Sequence, residues 1–190
     1  LYVVNSNGYF TIKLDKNLKS ERHILLSSDS EFSAETVEIK VKGLEYMDNI
    51  TEGWIPFDEL ISKEGDHSDD NYIAYTFFVK NDGNENVDYK SKIVIESVIK
   101  NVDEAVRVAL YVNGKESVYA KKAKNGSPEP ETIPFISNHL IMQQDRNNIK
   151  PGEIDRYSIV VWLEGNDPEC IDDIIGGEMK MAMVITEKTK

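Results

Sequence analysis

The side chains that most often perform catalysis are few and widely separated in this sequence. His23, His67 and His139 have no partner at the spacing of a metal or catalytic motif, and Cys170 is the single cysteine. The chain also lacks a G-x-S-x-G elbow, an H-E-x-x-H zinc motif, a P-loop and a G-x-G-x-x-G dinucleotide motif. We therefore expect a protein that is not an enzyme. Its histidines should lie at the surface or bond locally, and its cysteine should pack as a small apolar residue.

Carboxylates are the more informative chemical feature. One acidic group runs from Glu45 to Asp70 with Lys63 as its one basic neighbour, and a second follows Trp162. Several carboxylate oxygens on one loop bind hard cations such as calcium, although neither group has the spacing of an EF-hand. A solvated acidic face and a calcium site therefore both stay open, and no other cofactor is predicted. The candidate calcium ligands are Asp66, Asp69, Asp70, Asp167, Glu169, Asp172 and Asp173.

The composition is that of a folded, acidic protein. Of the 190 residues, 40% are hydrophobic, and we expect one domain over residues 1–190 with a packed core. The formal net charge is -12, and the one basic run (Lys121, Lys122 and Lys124) is short, so we expect no binding to nucleic acid. No apolar run approaches the length of about 18 residues that a membrane helix needs, so no membrane span is predicted. Because the first residue is Leu1 and not Met, we expect a processed or trimmed chain.

Most apolar residues recur with a period of two, which is typical of strands that bury one face. In Thr36–Lys42, the residues Val37, Ile39 and Val41 are predicted to face the core. Asn113-Gly114 accepts positive φ at both central turn positions and predicts a tight hairpin. The predicted strands are Tyr9–Leu14, Thr36–Lys42, Tyr72–Val79, Lys92–Val98, Ala105–Val112, Ser117–Ala120, Tyr157–Leu163 and Met179–Thr186.

Helix signals are few and short. Pro56–Ser62 is predicted to form one short helix, and Pro168–Ile175 a second that Asn166 or Asp167 caps. Asn125–Pro134 is rich in proline and predicts a long exposed loop. Strands separated by turns, with one or two short helices in the connections, favour an all-β, jelly-roll-like two-sheet sandwich.

The N-terminus carries a candidate self-assembly strand made of Leu1, Tyr2, Val3 and Val4, which are apolar and uncharged. The polar segment Asn5–Gly8 follows as a flexible hinge. An open sandwich leaves strand edges whose backbone groups can pair with another chain, so this segment could add to the sheet of a neighbouring molecule. The alternative is that it pairs within its own sheet or frays as a terminus.

Three stretches of strand and turn residues are distinctive. Asp70–Asn84 reads DNYIAYTFFVKNDGN and is followed by Val87-Asp88-Tyr89. Further along, NVDEAVRV begins at Asn101 and is followed by YVNG, and KPGE at Lys150 leads into VWLEGNDPEC. Together, over roughly residues 30 to 186, these stretches resemble the TasA/camelysin family of exported biofilm matrix proteins, in particular its clostridial branch, which depends on an alternate signal peptidase.

The resemblance implies a jelly-roll sandwich that is secreted to the cell surface and assembles into biofilm matrix fibres or pilus-like polymers. It also implies that the N-terminal strand of one subunit completes the sheet of the next. The expected partners are then copies of this chain and related matrix subunits. Part of the family is named for a casein-cleaving metalloprotease activity, which we do not carry over because this sequence has no recognisable zinc motif.

Two other functions stay open beside an extracellular structural subunit. A monomeric surface adhesin, or a calcium-dependent binding module, would hold its ligand with the loops of Glu45–Asp70. A metalloprotease-like hydrolase would require distant residues, such as His67 or His139, to converge with acids in the fold.

Overall fold

The computed structural model describes residues 9–15, 23–44 and 46–188, so the candidate self-assembly strand of Leu1, Tyr2, Val3 and Val4 lies outside the described residues. The first strands are β1 (Tyr9–Leu14), β2 (Ile24–Ser27), β3 (Glu35–Thr36), β4 (Glu38–Lys42), β5 (Gly65–Asp66), β6 (Ile73–Asn81) and β7 (Val87–Ile99). They are followed by β8 (Val106–Val112), β9 (Lys115–Ala120), β10 (Ile133–Pro134), β11 (Leu140–Ile149), β12 (Ile154–Leu163) and β13 (Glu178–Glu187). One short helix, α1 (Phe57–Leu60), and three 3₁₀ turns (Glu52–Trp54, Val102–Glu104 and Asp172–Ile174) lie in the connections.

The strands form two mixed sheets. The five-stranded sheet has the order β11-β7-β13-β1-β4, and the larger sheet has the order β10-β9-β8-β12-β6-β2-β3 with β5 also paired to β6. Most neighbours are antiparallel, but β1 runs parallel to β13 and β10 runs parallel to β9. The predicted all-β two-sheet sandwich with short helices in its connections is confirmed.

The main core lies between the two sheets. In β7, alternate residues from Val87 to Ile95 are buried and the residues between them are half-buried, which is the period of a strand with one solvated face. On the core face of the larger sheet, the rings of the paired residues Phe77 on β6 and Tyr157 on β12 stack with their centroids 5.0 Å apart. Apolar side chains from both sheets therefore fill one continuous interior.

A second apolar layer covers the outer face of the larger sheet. The connection that contains α1 lies over this face, where the Phe57 ring meets the rings of Trp162 and Tyr111 at 5.7 and 6.0 Å. Strands β6 and β12 are consequently buried on both faces, and both read in the sequence as nearly continuous apolar runs.

The predicted strands are confirmed, with shifts at their ends. The Asn113-Gly114 hairpin is also confirmed, with φ of 51° and 83° at the two residues. Within Thr36–Lys42 the residues Ile39 and Val41 are buried as predicted, but Val37 is exposed because the chain bends there between β3 and β4. Strands β2 and β11 were not predicted from the sequence.

The helix predicted over Pro168–Ile175 is wrong. The segment is a series of turns with one 3₁₀ turn at Asp172–Ile174. The Asp167 side chain accepts a hydrogen bond from the N–H of Glu169 at 2.8 Å, and such an Asx turn competes with the backbone pattern of a helix. The helix predicted over Pro56–Ser62 is confirmed in its central turn, α1.

Candidate metal centre and open strand edge

Two loops bring three carboxylates together beside strand β8. Glu129 lies in the connection between β9 and β10, and Asp167 and Glu169 lie just after β12. The backbone N–H of Lys124 donates to Glu169 Oε1 at 3.2 Å, which joins the two loops directly. We call Glu129, Asp167 and Glu169 the carboxylate cluster.

The cluster is buried and incompletely hydrogen-bonded. The exposed fractions of Glu129, Asp167 and Glu169 are 6%, 4% and 9%, and one oxygen from each lies within 4.8 Å of the others. Glu129 Oε1 and Glu169 Oε2 are buried without a hydrogen-bond partner. Buried carboxylate oxygens normally receive hydrogen bonds, because the loss of hydration is otherwise uncompensated.

Arg107 on β8 is the counter-ion of the cluster. Its Nη1 lies 2.7 Å from Asp167 Oδ2, and its Nη2 lies 3.9 Å from Glu129 Oε2. With all three carboxyl groups ionised, one guanidinium leaves two negative charges uncompensated. Either protons or a cation must neutralise that charge.

The pKa values of the cluster reflect this excess of carboxylates. Burial raises the pKa of Asp167, and the neighbouring Glu169 raises it further. Burial also raises the pKa of Glu129, with the charge of Asp167 as the next cause. Hydrogen bonding from the Asp167 carboxyl group and from the Lys124 N–H lowers the pKa of Glu169.

Glu164 is a buried carboxylate of a different kind. It accepts hydrogen bonds from the indole N–H of Trp162 at 3.0 Å and from the backbone N–H groups of Glu52 and Asn166 at 3.1 and 3.2 Å. These bonds anchor the covering connection to the end of β12. A cavity of about 390 Å³ lies between Glu164 and Glu129, with Arg107 also in its wall.

The other carboxylates in the predicted calcium set lie outside this cluster. Asp66, Asp69 and Asp70 are exposed near the start of β6, and their hydrogen bonds are to nearby backbone, such as that from Ser68 N–H to Asp66 Oδ1 at 3.0 Å. Asp172 and Asp173 are exposed on the 3₁₀ turn. Only Asp167 and Glu169 of the predicted set meet, and they meet Glu129, which sequence reasoning placed in an exposed loop.

The histidines and the cysteine lie in local structural contacts. His23 Nδ1 lies 2.9 Å from Glu187 Oε1, and His67 Nε2 lies 2.9 Å from Thr76 Oγ1. His139 is exposed, and Cys170 packs against the main core.

Strand β11 forms one edge of the five-stranded sheet. It is 10 residues long, and among the described residues β7 is its one partner strand. The N–H of Ile95 in β7 donates to His139 O at 2.8 Å, so the odd-numbered residues of that part of β7 direct their backbone groups towards β11. Gln143 and Asp145 pair with even-numbered residues of β7, so their own N–H and C=O groups point away from the sheet.

A buried polar network fixes β11 to the opposite sheet. Asp155 of β12 accepts two hydrogen bonds from Arg146 of β11, at 2.6 and 3.0 Å. It also accepts hydrogen bonds from Tyr89 OH at 2.5 Å and from Asn113 Nδ2 at 2.8 Å. Tyr89 OH lies 2.6 Å from Tyr157 OH, and burial raises the pKa of Tyr157 to about 12. The network therefore holds the edge strand in place from within.

No protein-family model and no curated protein matches this chain. Among solved structures, a β-glucosidase from Kluyveromyces marxianus in complex with glucose has 10% identity and a TM-score of 0.30, and this chain spans 18% of its length. The N-terminal domain of PorA has 7% identity and a TM-score of 0.26 over 85% of this chain and 96% of its own. At these TM-scores neither similarity bears on function. Among the described residues, no helix is long and apolar enough to cross a membrane.

Proposed function

We propose that this chain is a secreted structural subunit that assembles with copies of itself, or with related matrix subunits, into cell-surface or biofilm matrix fibres. The observation that carries the proposal is the edge of β11, whose outer backbone groups have no partner strand among the described residues. The resemblance to exported matrix proteins supports the extracellular location. In this function the chain performs no catalytic step.

The other edges are less suited to accept a strand. Strands β3 and β10 are two residues long, and β4 carries the charged residues Glu38, Lys40 and Lys42. The part of β9 that does not pair with β10 begins with the charged residues Lys115 and Glu116. Short length and charge are the features by which natural sheets prevent edge-to-edge pairing. By this criterion β11 is the best acceptor among the described edges.

The occupant that fits this edge is the N-terminal segment of another copy. The ladder between β11 and β7 is regular from Met142 to Arg146 and is interrupted by register shifts at either end. This regular stretch is close in length to Leu1–Val4, whose residues carry no charged side chain. Backbone hydrogen bonds would supply the affinity of such a strand addition, and its side chains would set the register.

The polar network favours binding at this edge. Because Asp155 holds Arg146 from the opposite sheet, the middle of β11 is ordered before a partner arrives. An ordered acceptor loses less conformational entropy on binding, which leaves more of the interaction energy for affinity.

The direct test compares assembly of four chains by electron microscopy and light scattering over a concentration series. They are the full chain, the chain without residues 1–8, Gln143→Pro and the matched control Gln143→Thr. Proline removes an N–H that points away from β7, whereas threonine keeps it. Circular dichroism and thermal melting establish that each chain is folded. The expected result is fibres from the full chain and from Gln143→Thr, and none from the other two.

A mixing experiment separates donor from acceptor. The Gln143→Pro chain can still donate its N-terminal segment, and the shortened chain can still accept one, so together they should form discrete heterodimers. Fibres from Gln143→Pro would place the acceptor at another edge. Monomers from the full chain at every concentration would refute self-assembly and favour the monomeric adhesin.

A further inference from the structure

We infer that the carboxylate cluster of Glu129, Asp167 and Glu169 is a calcium site that joins two surface loops beside strand β8. The inference does not depend on self-assembly, and it goes beyond the proposed function. Two features carry it: the mutual position of the three carboxylates, and the buried oxygens that have no hydrogen-bond partner.

The unpartnered oxygens point to a missing ligand. Glu129 Oε1 and Glu169 Oε2 belong to residues that are more than nine-tenths buried, and neither atom has a hydrogen-bond partner. Glu164, only a few residues away in sequence from Asp167, has each of its carboxylate oxygens hydrogen-bonded. Asp103 also has one buried oxygen without a hydrogen-bond partner, but its other oxygen pairs with Lys121 Nζ at 2.9 Å. The cluster differs because its three carboxylates lie within 4.8 Å of one another.

The geometry and the charge both fit one calcium ion. Calcium binds oxygen at about 2.3 to 2.6 Å, so ligands on opposite sides of the ion lie about 5 Å apart. The three cluster oxygens lie within 4.8 Å of one another, which is within that limit. Three carboxylates and the Arg107 guanidinium leave two negative charges, which one divalent cation balances.

Calcium fits the donor set better than magnesium or zinc. The cluster offers oxygen atoms alone, whereas protein zinc sites usually include histidine or cysteine. Magnesium requires near-octahedral geometry at a shorter distance of about 2.0 to 2.1 Å and loses its water reluctantly. Calcium accepts an irregular set of about six to eight oxygen ligands, and water can supply those that the protein does not.

Binding at this site would join parts of the chain that are distant in sequence. Glu129 belongs to the connection between β9 and β10, and the other two ligands to the connection between β12 and β13. Without the ion, the Lys124 N–H to Glu169 hydrogen bond and the Arg107 ion pairs hold these loops. Calcium should therefore stabilise the fold and protect the first loop, which contains Lys122 and Lys124, from trypsin.

The test uses calorimetric titration and thermal melting of the full chain after dialysis against a chelator, with calcium chloride and then magnesium chloride as the probes. We expect saturable calcium binding with a Kd on the order of 10⁻⁴ to 10⁻³ M, as in extracellular calcium modules. At about 100 times Kd, calcium should raise the Tm by about 5 to 10 °C. Trypsin cleavage after Lys122 and Lys124 should slow in parallel.

Two variants make the result specific. Glu129→Gln should abolish the calcium-dependent shift, and without calcium it should melt at or above the wild-type temperature because it removes one of the buried like charges. The matched control Asp172→Asn with Asp173→Asn removes two exposed carboxylates from the same β12–β13 connection and should keep the full shift. A wild-type protein without saturable calcium binding, or a Glu129→Gln protein that keeps it, would overturn the inference. The cluster would then be neutralised by protons.

Discussion

Replacing Asp155 by Asn tests whether the buried polar network holds the edge strand. Asp155 is 1% exposed and accepts hydrogen bonds from Arg146, Tyr89 and Asn113. The substitution keeps the size of the side chain but removes its charge, and it places an NH₂ group where a carboxylate oxygen accepts hydrogen bonds. The network would lose its ion pair and at least one hydrogen bond.

The expected loss in the free energy of unfolding follows from the burial of Asp155 and Arg146. Removal of one partner from a buried ion pair costs about 3 to 5 kcal/mol, because the other charge is left uncompensated. The Arg146 side chain is 27% exposed and can regain some hydration, so we expect the lower end, about 3 kcal/mol. For a chain of this length, that corresponds to a decrease in Tm of about 6 to 12 °C.

Urea unfolding followed by tryptophan fluorescence measures this free energy. The matched control is Asp145→Asn on β11, whose side chain is 50% exposed and paired with Lys188, and which should change stability by less than about 0.5 kcal/mol. A loss below about 1 kcal/mol in Asp155→Asn would refute the view that the network is a main attachment of β11.

The effect of Asp155 should also depend on pH. Burial by itself raises the pKa of Asp155, but hydrogen bonds from Arg146, Tyr89 and Asn113 outweigh it and hold the pKa below the ordinary value of 3.8. A group whose native pKa is lowered stabilises the fold above its unfolded pKa and loses that contribution as the pH falls. The difference in unfolding free energy between wild type and Asp155→Asn should therefore be largest at neutral pH and shrink below about pH 4.

Three further predictions concern other parts of the fold. Gly177→Ala should destabilise the protein by about 1 to 3 kcal/mol, because its methyl group would lie 2.7 Å from a backbone carbonyl oxygen. The control Gly53→Ala meets no atom within 4 Å and should have a much smaller effect in the same melting assay. Burial lowers the pKa of His67 from its ordinary value of 6.5, so its contribution to stability should be complete above that pH and fall as the solution becomes more acidic. The free energy of unfolding should therefore differ less between pH 8 and pH 5 in a His67→Gln chain than in the wild type. Glu164→Ala removes the acceptor of the Trp162 indole N–H and of two backbone N–H groups, and should cost about 2 to 3 kcal/mol and alter tryptophan fluorescence.

Local sequence signals predicted the parts of the fold that they control directly. The Asn-Gly pair at 113 and 114 determined a hairpin because both residues accept positive φ. Alternating or continuous apolar residues predicted strands such as β6 and β12, because burial on one face or two follows from their pattern. Strand β11 was missed because its middle, Gln143–Asn148, is polar throughout and has no apolar period.

The carboxylate cluster required the tertiary structure. Asp167 and Glu169 are close in sequence and belonged to a predicted acidic group, but nothing in the sequence around Glu129 distinguishes it from other acids of an exposed loop. Glu129 reaches the cluster because the β9–β10 connection passes beside the end of β12, next to Arg107 on β8. That proximity depends on the order of strands in the larger sheet, which no local pattern specifies.

The sequence by itself determined the fold class, the main strands and the acidic character. The tertiary structure decided which carboxylates meet, which are satisfied and which strand edge has no further partner among the described residues. The physical reason is the range of the interactions. Strand period and turn conformation depend on neighbouring residues, whereas burial, charge compensation and edge pairing depend on residues brought together from distant parts of the chain.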